Sequence, residues 1–397
     1  MAALDLSSFD AALKAHYTDQ RVKNMVYRGS PFLAWLPKME RFGGKNLPIP
    51  IQYGTPQGRS ATFATAKSNK VASKFEDFVL VRKKDYGLAS IDNETLEASI
   101  GKPNAFMEAA STEINGILRS VKRSLCGALF RDGTGTIGVL SSISGAVITL
   151  TNKSDIVNFE VGMSLTSAAT SGGTVVGTQD ITAVDRSAGT VTLAAGTGFT
   201  TTNKYLAVEG DSSAKLSGLA AWLPATAPGG SDSFFGVNRS VDTERLSGVR
   251  YDGSAETVEE AIIGACSDIA VAGGETDTVF MNHTNHQQLL KALGSAKEYD
   301  SVRASDADIS FKAVMMHGPT GPVKILPDRD CPVGTAYALQ RDTWKLYSLG
   351  AAPKILRSDG LRFLRENSAD AVEVRTGYYA QLGCTAPGWN GVITLPA

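Results

Sequence analysis

The sequence has little of the chemistry that marks an enzyme or a metal protein. Its 397 residues include only four cysteines and four histidines. The cysteines show no CxxC pair and no regular spacing, which indicates buried, reduced thiols rather than a disulfide framework or a metal site. They are Cys126, Cys266, Cys331 and Cys384. No GxSxG motif offers a serine nucleophile. The sequence therefore predicts no catalytic residue, no metal and no cofactor.

Long apolar runs and an excess of one charge are also lacking. No apolar stretch reaches the roughly 18 residues of a membrane-spanning helix, and the start, MAALDLSSFD, has neither the basic nor the apolar region of a signal peptide. Lys and Arg total 39 against 40 Asp and Glu, so the formal net charge of −1 leaves no basic footprint for tight nucleic-acid binding. We expect a protein that has no membrane partner and is kept in a cytosol-like compartment.

Two short motifs resemble ligand sites as strings of letters. GTGTIG at residues 133–138 fits the dinucleotide fingerprint, but it follows a predicted helix and leads into a predicted strand, the reverse of what pyrophosphate binding requires. His283 and His286 lie close to a metal-ligand spacing without an obvious third ligand, so they indicate an ordinary helix start. Neither motif predicts a binding site.

The N-terminal region pairs a predicted helix at residues 11–27 with a short apolar turn, PFLAWLP, at residues 31–37. The two prolines close this turn after barely two helical turns. A helix this short is not stable alone, so its apolar side must pack on the rest of the chain or on another copy of it. The side chains with the most apolar surface to bury include Phe32, Trp35 and Leu36.

A glycine pair, Gly43 and Gly44, follows and predicts a hinge. Two extended stretches come next, at residues 47–66 and 75–91, and they predict a long two-stranded hairpin. A hairpin of this kind has little core of its own and is marginal in isolation, so it needs a neighbouring surface. The predicted hairpin tip is rich in lysine, with Lys67, Lys70 and Lys74.

A helix and a β-rich segment dominate the middle of the chain. After Pro103, apolar residues recur at three- and four-residue steps up to Phe130, which predicts a helix of roughly 27 residues and about 40 Å. From residue 141 to about 211 the composition changes to Thr, Ser, Gly and Val in strand-like alternation, which indicates a small inserted all-β module. That module either is displayed without chemistry of its own or carries a ligand-binding surface. Beyond it, a helix capped at Ser254 begins a mixed α/β region.

Taken in order, these elements resemble the major capsid protein of tailed bacteriophages. Five stretches carry the resemblance: SPFLAWLPKMERFGGKNLPIPIQYG at 30–54, the helix after Pro103, GLAAWLP at 218–224, NRSVDTERLSGVRYDGS at 238–254 and FMNHTNHQQLLKALGS at 280–295. They extend over nearly the whole chain. The similarity lies in short sequence segments that are typical of the family and in their order along the chain, not in a catalytic motif.

The resemblance implies an α+β fold shared with encapsulins and the herpesvirus capsid floor. Its expected parts are an N-terminal arm (1–45), an extended β-hairpin loop (46–92), a spine helix with the start of a peripheral domain (93–140), the inserted all-β module (141–211), a mainly axial α/β domain (212–350) and C-terminal strands that close the axial and peripheral domains (351–397).

The resemblance also implies a structural, non-enzymatic subunit that self-assembles into pentamers and hexamers of an icosahedral head around double-stranded DNA. Phe32, Trp35 and Leu36 are then expected to anchor the arm between subunits. Expected partners are other copies, portal and scaffolding proteins, a decoration protein and DNA bound without sequence specificity, in a virion assembled in the host bacterial cytoplasm. Two alternatives stay open: an encapsulin-like compartment with protein cargo, and a β-rich protein that binds a ligand or host surface.

Two features vary among such proteins. Some begin with a cleaved scaffolding domain, whereas this arm starts almost at Met1, so a separate scaffolding protein, a processed chain and scaffold-free assembly are all open. Some form a Lys–Asn cross-link between the hairpin and a neighbour. Lys67, Lys70 and Lys74 lie near the predicted hairpin tip, where exposed lysines usually serve only solubility.

Overall fold

A computed structural model describes residues 30–93, 103–230, 232–293, 299–304, 307–356, 364–365 and 370–396. The helix predicted at residues 11–27, and with it most of the predicted arm, lies outside the described residues. No helix within these ranges is long and apolar enough to cross a membrane.

The helices in the described part are α1 (Pro31–Trp35), α2 (Phe63–Ser68), α3 (Pro103–Phe130), α4 (Leu219–Trp222), α5 (Val258–Val271) and α6 (His283–Leu293). Short 3₁₀ helices span Lys153–Asn158, Arg239–Val241, Arg341–Thr343 and Pro387–Trp389. The strands are β1 (Lys38–Met39), β2 (Asn46–Gly54), β3 (Lys74–Val81), β4 (Lys83–Asp92), β5 (Thr136–Ser144), β6 (Val147–Leu150), β7 (Ser164–Ala168), β8 (Val175–Asp185), β9 (Thr190–Leu193), β10 (Tyr205–Val208), β11 (Val249–Asp252), β12 (Thr278–Met281), β13 (Tyr299–Ala304), β14 (Ala307–Gly318), β15 (Gly321–Pro327), β16 (Thr335–Leu339), β17 (Trp344–Ser348), β18 (Lys354–Ile355), β19 (Leu364–Arg365), β20 (Ala371–Cys384) and β21 (Gly391–Thr394).

The long helix α3 confirms the prediction of a spine that begins at Pro103 and ends at Phe130. Its inward stripe packs on β4 and β20, and the buried side chains of this stripe include Ile114, Leu118, Val121 and Leu125. Gly87 on β4 permits the close approach, because a Cβ there would lie 2.5 Å from Cγ2 of Val121. The apolar periodicity seen in the sequence is therefore the face that covers a sheet.

That sheet has six strands and is organised around the 14-residue β20. On one side β20 pairs antiparallel with β17, and on the other it pairs with β4 along ten residues. The short strand β1 joins β17 in parallel, which attaches the chain that follows α1 to the sheet. The C-terminal part of the chain thus holds the N-terminal part in place.

The hairpin differs from its prediction. Its two strands are β2 and β3, half the expected length, and β4 leaves it to pair with β20. The second predicted stretch, residues 75–91, is therefore two strands separated at Arg82. Both halves show strand-like composition, so the sequence could not show that β4 has a partner nearly 290 residues away. Between β2 and β3, residues 63–68 form the helix α2 where strand was expected.

A second sheet has seven strands in the order β11-β21-β16-β12-β15-β14-β13. The helices α5 and α6 pack on it. α5 begins at Thr257, whose side chain forms a capping box with Glu260, so the predicted cap at Ser254 is wrong by three residues. Strand β12 is buried along its whole length, in agreement with its uninterrupted apolar sequence.

The inserted module is a closed six-stranded barrel, β10-β5-β6-β9-β8-β7. It has its own apolar interior, which includes Leu140, Phe159, Val191 and Leu206. Its first strand begins at Thr136, five residues before the expected boundary, and pairs there with Ala207 of the last strand. The chain therefore enters and leaves the barrel at neighbouring positions.

The predicted boundary between axial and peripheral regions does not divide the chain cleanly. α4 and β17 lie within the predicted axial segment, yet α4 packs on α3 and β17 belongs to the six-stranded sheet. One apolar core includes Trp222 of α4, Phe280 of the seven-stranded sheet and Leu382 of the six-stranded sheet. The two sheets therefore share one interior.

Gly218 is the position at which the barrel's exit meets the end of α3. A Cβ on it would lie 2.3 Å from the carbonyl oxygens of both Ala128 and Leu129. We expect Gly218→Ala to destabilise the subunit by about 3 kcal/mol, since backbone atoms must move to admit the methyl group. Urea unfolding of unassembled subunits measures the change.

The matched control is Gly116→Ala on the exposed face of α3, where the added Cβ meets nothing within 4 Å. Helix propensity predicts a gain of about 1 kcal/mol there. Equal effects at the two positions would contradict the close approach at Gly218.

Candidate assembly surfaces

The predicted anchor, α1, lies at the centre of the subunit. The ring of Phe32 packs between Phe130 at the end of α3 and Phe280 on β12, with centroid distances of 5.0 and 5.1 Å. Trp35 meets Phe280 edge-to-face at 5.2 Å. Such geometry adds to the stabilisation from apolar burial. The anchor thus joins the spine to the seven-stranded sheet.

Hydrogen bonds fix the same turn. The N–H of Phe32 donates to Oδ2 of the buried Asp328 at 3.1 Å, and Nε1 of Trp35 donates to Oγ1 of Thr278 at 3.1 Å. Nε of Arg341 donates to the carbonyl oxygen of Trp35 at 3.0 Å. These contacts join residues that are 243 to 306 positions apart in the sequence.

The expectation of an anchor between subunits is corrected at these side chains. Phe32, Trp35 and Leu36 are 0, 7 and 1 % exposed within their own chain. Their apolar surface is already covered, so nothing of it is left for a neighbouring copy. The turn is covered, as its apolar composition requires, but the residues that cover it belong to the same subunit.

The base of the hairpin packs on a second aromatic cluster. Phe78 of β3 meets Trp222 edge-to-face at 4.9 Å, and Trp222 meets Phe234 at 5.0 Å. Nε1 of Trp222 donates to the carbonyl oxygen of Leu382 on β20. The GLAAWLP stretch therefore holds the hairpin onto the six-stranded sheet.

Two further hydrogen bonds secure the hairpin above its base. The N–H of Val79 donates to the carbonyl oxygen of Phe235 at 2.9 Å, and Nη1 of Arg245 donates to the carbonyl oxygen of Tyr53 at 2.6 Å. β3 is exposed along residues 74–77, whereas Ile51 of β2, opposite Glu76, is still buried in the core. The hairpin therefore leaves the body of the subunit beyond Tyr53.

The hairpin tip is basic and partly apolar. Lys67, Lys70 and Lys74 are all exposed there, the first in α2 and the last at the start of β3. Phe63 is 86 % exposed and Phe75 is 63 % exposed. Large apolar side chains held this far into water are typical of a surface that another protein covers.

Gly43 and Gly44 lie at the corner where the chain leaves β1 and turns into β2. Gly44 has φ of +73°, a conformation that favours glycine, and a Cβ added at either position would meet no atom within 4 Å. The geometry fits the predicted change of direction, and movement about this point stays a prediction.

A partly buried ionic cluster joins the spine, β4 and the barrel exit. Nζ of Lys215 lies 2.6 Å from Oδ2 of Asp85, 3.0 Å from Oδ1 of Asp211 and 2.8 Å from Oγ of Ser124. Burial raises the pKa of Asp211, and the nearby Lys215 ammonium opposes that rise. Sequence reasoning missed this cluster, because its members are scattered single charges separated by up to 130 residues.

The structure shows the surroundings of the cysteines and of the possible metal ligands among the described residues. All four cysteines are free and buried, and burial raises the pKa of the Cys126 and Cys384 thiols to about 12. A thiol of this kind is a poor nucleophile at neutral pH. No group of three or more His, Cys, Asp or Glu side chains in the described ranges is placed to hold a metal ion. The HTNH motif begins α6, as predicted, and GTGTIG leads from α3 into β5.

Comparison with known proteins places the chain in a family. The sequence profile of the SU10 major capsid protein matches residues 144–362, more than half of the chain. The chain belongs to the SU10 major capsid protein family. It is a structural subunit of a tailed-phage capsid, and its location is the capsid of the virion.

Several solved structures are similar to this chain, and the first of them supports the capsid fold. The capsid asymmetric unit of cyanophage A-1(L) matches with a TM-score of 0.53 at 12 % identity and covers 93 % of this chain and 94 % of that one. A capsid of a native GTA particle matches at 9 % identity with a TM-score of 0.47, covering 92 % and 90 %. Mycobacterium phage Adephagia matches at 13 % identity with a TM-score of 0.41, covering 93 % and 91 %. No curated protein sequence gives a match.

For this capsid subunit, the burial of α1 predicts a contrast between two phenylalanines. Phe32→Ala empties a fully buried aromatic site, so we expect a loss of about 3–5 kcal/mol in subunit stability. Phe63→Ala removes an exposed ring and should change stability by less than about 0.5 kcal/mol. Urea unfolding of the unassembled subunit compares the two. A stable, fully folded Phe32→Ala subunit would refute the placement of the anchor.

Asp328 predicts a pH dependence of the same region. Burial, with the charge of Asp330 adding to it, raises the pKa of Asp328 to about 6 from 3.8. Between these values the folded state binds more protons than the unfolded state, so stability falls as pH rises from about 4 to 6. The difference amounts to about 3 kcal/mol.

Urea unfolding at a series of pH values from 4 to 7 measures this slope. Asp328→Asn should make it shallower, because asparagine does not titrate and keeps one oxygen acceptor for the N–H of Phe32. Asp211 and Asp277 also have a raised pKa and contribute in the same direction, so the difference between the two proteins isolates Asp328. An identical slope in both proteins would count against the assignment.

Proposed function

We propose that this capsid subunit self-assembles into pentamers and hexamers of an icosahedral phage head that encloses double-stranded DNA. The observation that carries the proposal is the exposed outer part of the hairpin, which consists of the tip beyond Tyr53 and residues 74–77 of β3 and bears the uncovered rings of Phe63 and Phe75. Large apolar side chains exposed together on a projection are typical of a surface that another molecule covers.

Rings of identical subunits support this view of the hairpin. Contacts around a ring are heterologous, so each subunit needs two different surfaces that complement each other. The hairpin supplies one surface, and the exposed body of the next subunit supplies the other. Because the anchor residues of α1 are internal, the hairpin is the stronger candidate for the contact between copies.

The charge of the chain fits a container for DNA. With a formal net charge of −1, the wall gives no strong general attraction for the phosphate backbone, so packaged DNA stays free to move. We infer DNA contact without sequence specificity, assembly in the host bacterial cytoplasm, and portal, scaffolding and decoration proteins as partners. Lys67, Lys70 and Lys74 keep the exposed tip from aggregating before assembly.

Electron microscopy of the purified protein tests the proposal. The chain is expressed in a bacterial cytosol, alone and together with any scaffolding protein encoded beside it. Closed shells of uniform diameter are expected in at least one preparation. Only monomers in both preparations would overturn the proposal, and shells loaded with a protein cargo in place of DNA would favour an encapsulin-like compartment.

A barrel-deleted variant serves as the control. Residues 137–206 are replaced by Gly-Ser, which is feasible because Thr136 and Ala207 are paired neighbours in the barrel sheet. Shells should still form, since the barrel has a separate apolar interior. A folded variant that no longer assembles would show that the barrel belongs to the shell contacts and is not merely displayed.

A further inference from the structure

The two strands of the hairpin offer different outer edges. In an antiparallel pair, opposite residues alternate between exchanging hydrogen bonds and turning their backbone groups outward. Pro48 on β2 is opposite Val79 on β3. The N–H of Val79 donates to Phe235, which is not part of β2, so this pair is of the outward kind. By alternation, Pro50 with Asp77, and Gln52 with Phe75, also turn outward.

The outer edge of β2 is closed to a further strand. Both of its central outward positions are prolines, which have no N–H to donate. The outward N–H groups that remain are those of Asn46 and Gln52, six residues and about 20 Å apart. A strand laid along this edge would leave its own carbonyl groups without donors, so the prolines protect the edge from pairing.

The outer edge of β3 is open beyond Val79. Phe75 and Asp77 carry outward N–H and C=O groups and are exposed, and no acceptor among the described residues receives either N–H. The unpaired part of the β3 edge therefore begins after Val79, the residue whose N–H is taken up by Phe235. An extended chain added here would continue a sheet and cover the ring of Phe75.

The charges around this edge indicate which molecule occupies it. The edge itself carries the acidic Glu76 and Asp77. The adjoining tip, residues 55–74, carries four basic and no acidic side chains, whereas residues 252–277 of the same chain carry seven acidic and no Lys or Arg side chains. Several of these acids are exposed, among them Glu256, Glu260 and Asp268. A second copy of this chain therefore offers backbone to the edge and charge opposite to that of the neighbouring tip, and it is the molecule present in excess in a capsid. DNA matches the charge of the tip and cannot pair with a strand edge.

We propose that a second copy of this chain adds a strand to the outer edge of β3 at Phe75 and Asp77. Pro48 and Pro50 direct the pairing to that edge by closing the other. The inference rests on the proposed function and specifies its contact: main-chain pairing at one strand of the hairpin, not side-chain packing alone.

Hydrogen exchange in free subunits and in assembled shells tests the inference. In the subunit, the amides of Phe75 and Asp77 should exchange freely, and in shells they should exchange at least tenfold more slowly. Shells in which both amides exchange as fast as in free subunits would overturn the strand addition and leave the proposed function intact. A wild-type chain that forms no shells would instead remove the proposed function, and the inference with it.

A pair of variants gives the second readout. Asp77→Pro removes the outward N–H while it spares the bonds to β2, and Asp77→Ala removes the same side chain and keeps the N–H. We expect Asp77→Ala to assemble normally and Asp77→Pro to yield at least tenfold fewer shells with an unchanged melting temperature. Equal shell yields from the two variants would contradict the inference. If Asp77→Pro does not fold, amide hydrogen exchange in shells of the wild-type and Asp77→Ala chains still tests the strand addition.

Discussion

The structure depends on one contact, the insertion of Phe32 between the spine helix and the seven-stranded sheet. Phe130 closes one side of the ring and Phe280 the other, and Asp328 receives the N–H of the same residue. These groups come from four separate parts of the chain. Because the shared core forms only when they meet, the first described residues are required for the fold of the rest. The described part of the arm, from residue 30 onward, is therefore part of the subunit before it is part of any assembly.

The parts of the fold that the sequence revealed are those set by local pattern. The apolar stripe of α3 located the spine from Pro103 to Phe130, and the change to Thr, Ser, Gly and Val located the barrel within about five residues. Local pattern also showed that PFLAWLP must be covered. What covers it was not local: Asp328 is 296 residues away, and no periodicity in the sequence records that distance.

The same limit explains the hairpin and the ionic cluster. Residues 75–91 alternate in strand fashion throughout, so nothing in them marks the exchange of partner at Arg82, where β3 ends and β4 joins β20. Lys215, Asp85 and Asp211 are single charges that become a site only through the topology. Nor could Phe32 be assigned to its own subunit or a neighbour beforehand, because burial requires an apolar partner and does not specify the copy that supplies it.

The main core lies within a single chain, and the hairpin edge at Phe75 and Asp77 is exposed. Since the core is complete within one chain, contacts between copies need not supply folding energy, and each can be weak while many together hold a shell. Weak contacts allow a misplaced subunit to dissociate, but incorrect contacts can then be almost as stable as the correct ones. A hairpin with two open edges would accept strands from either side. Because Pro48 and Pro50 block pairing at the β2 edge, a further strand can add only at the β3 edge. A ring of identical subunits requires such a contact between two different surfaces.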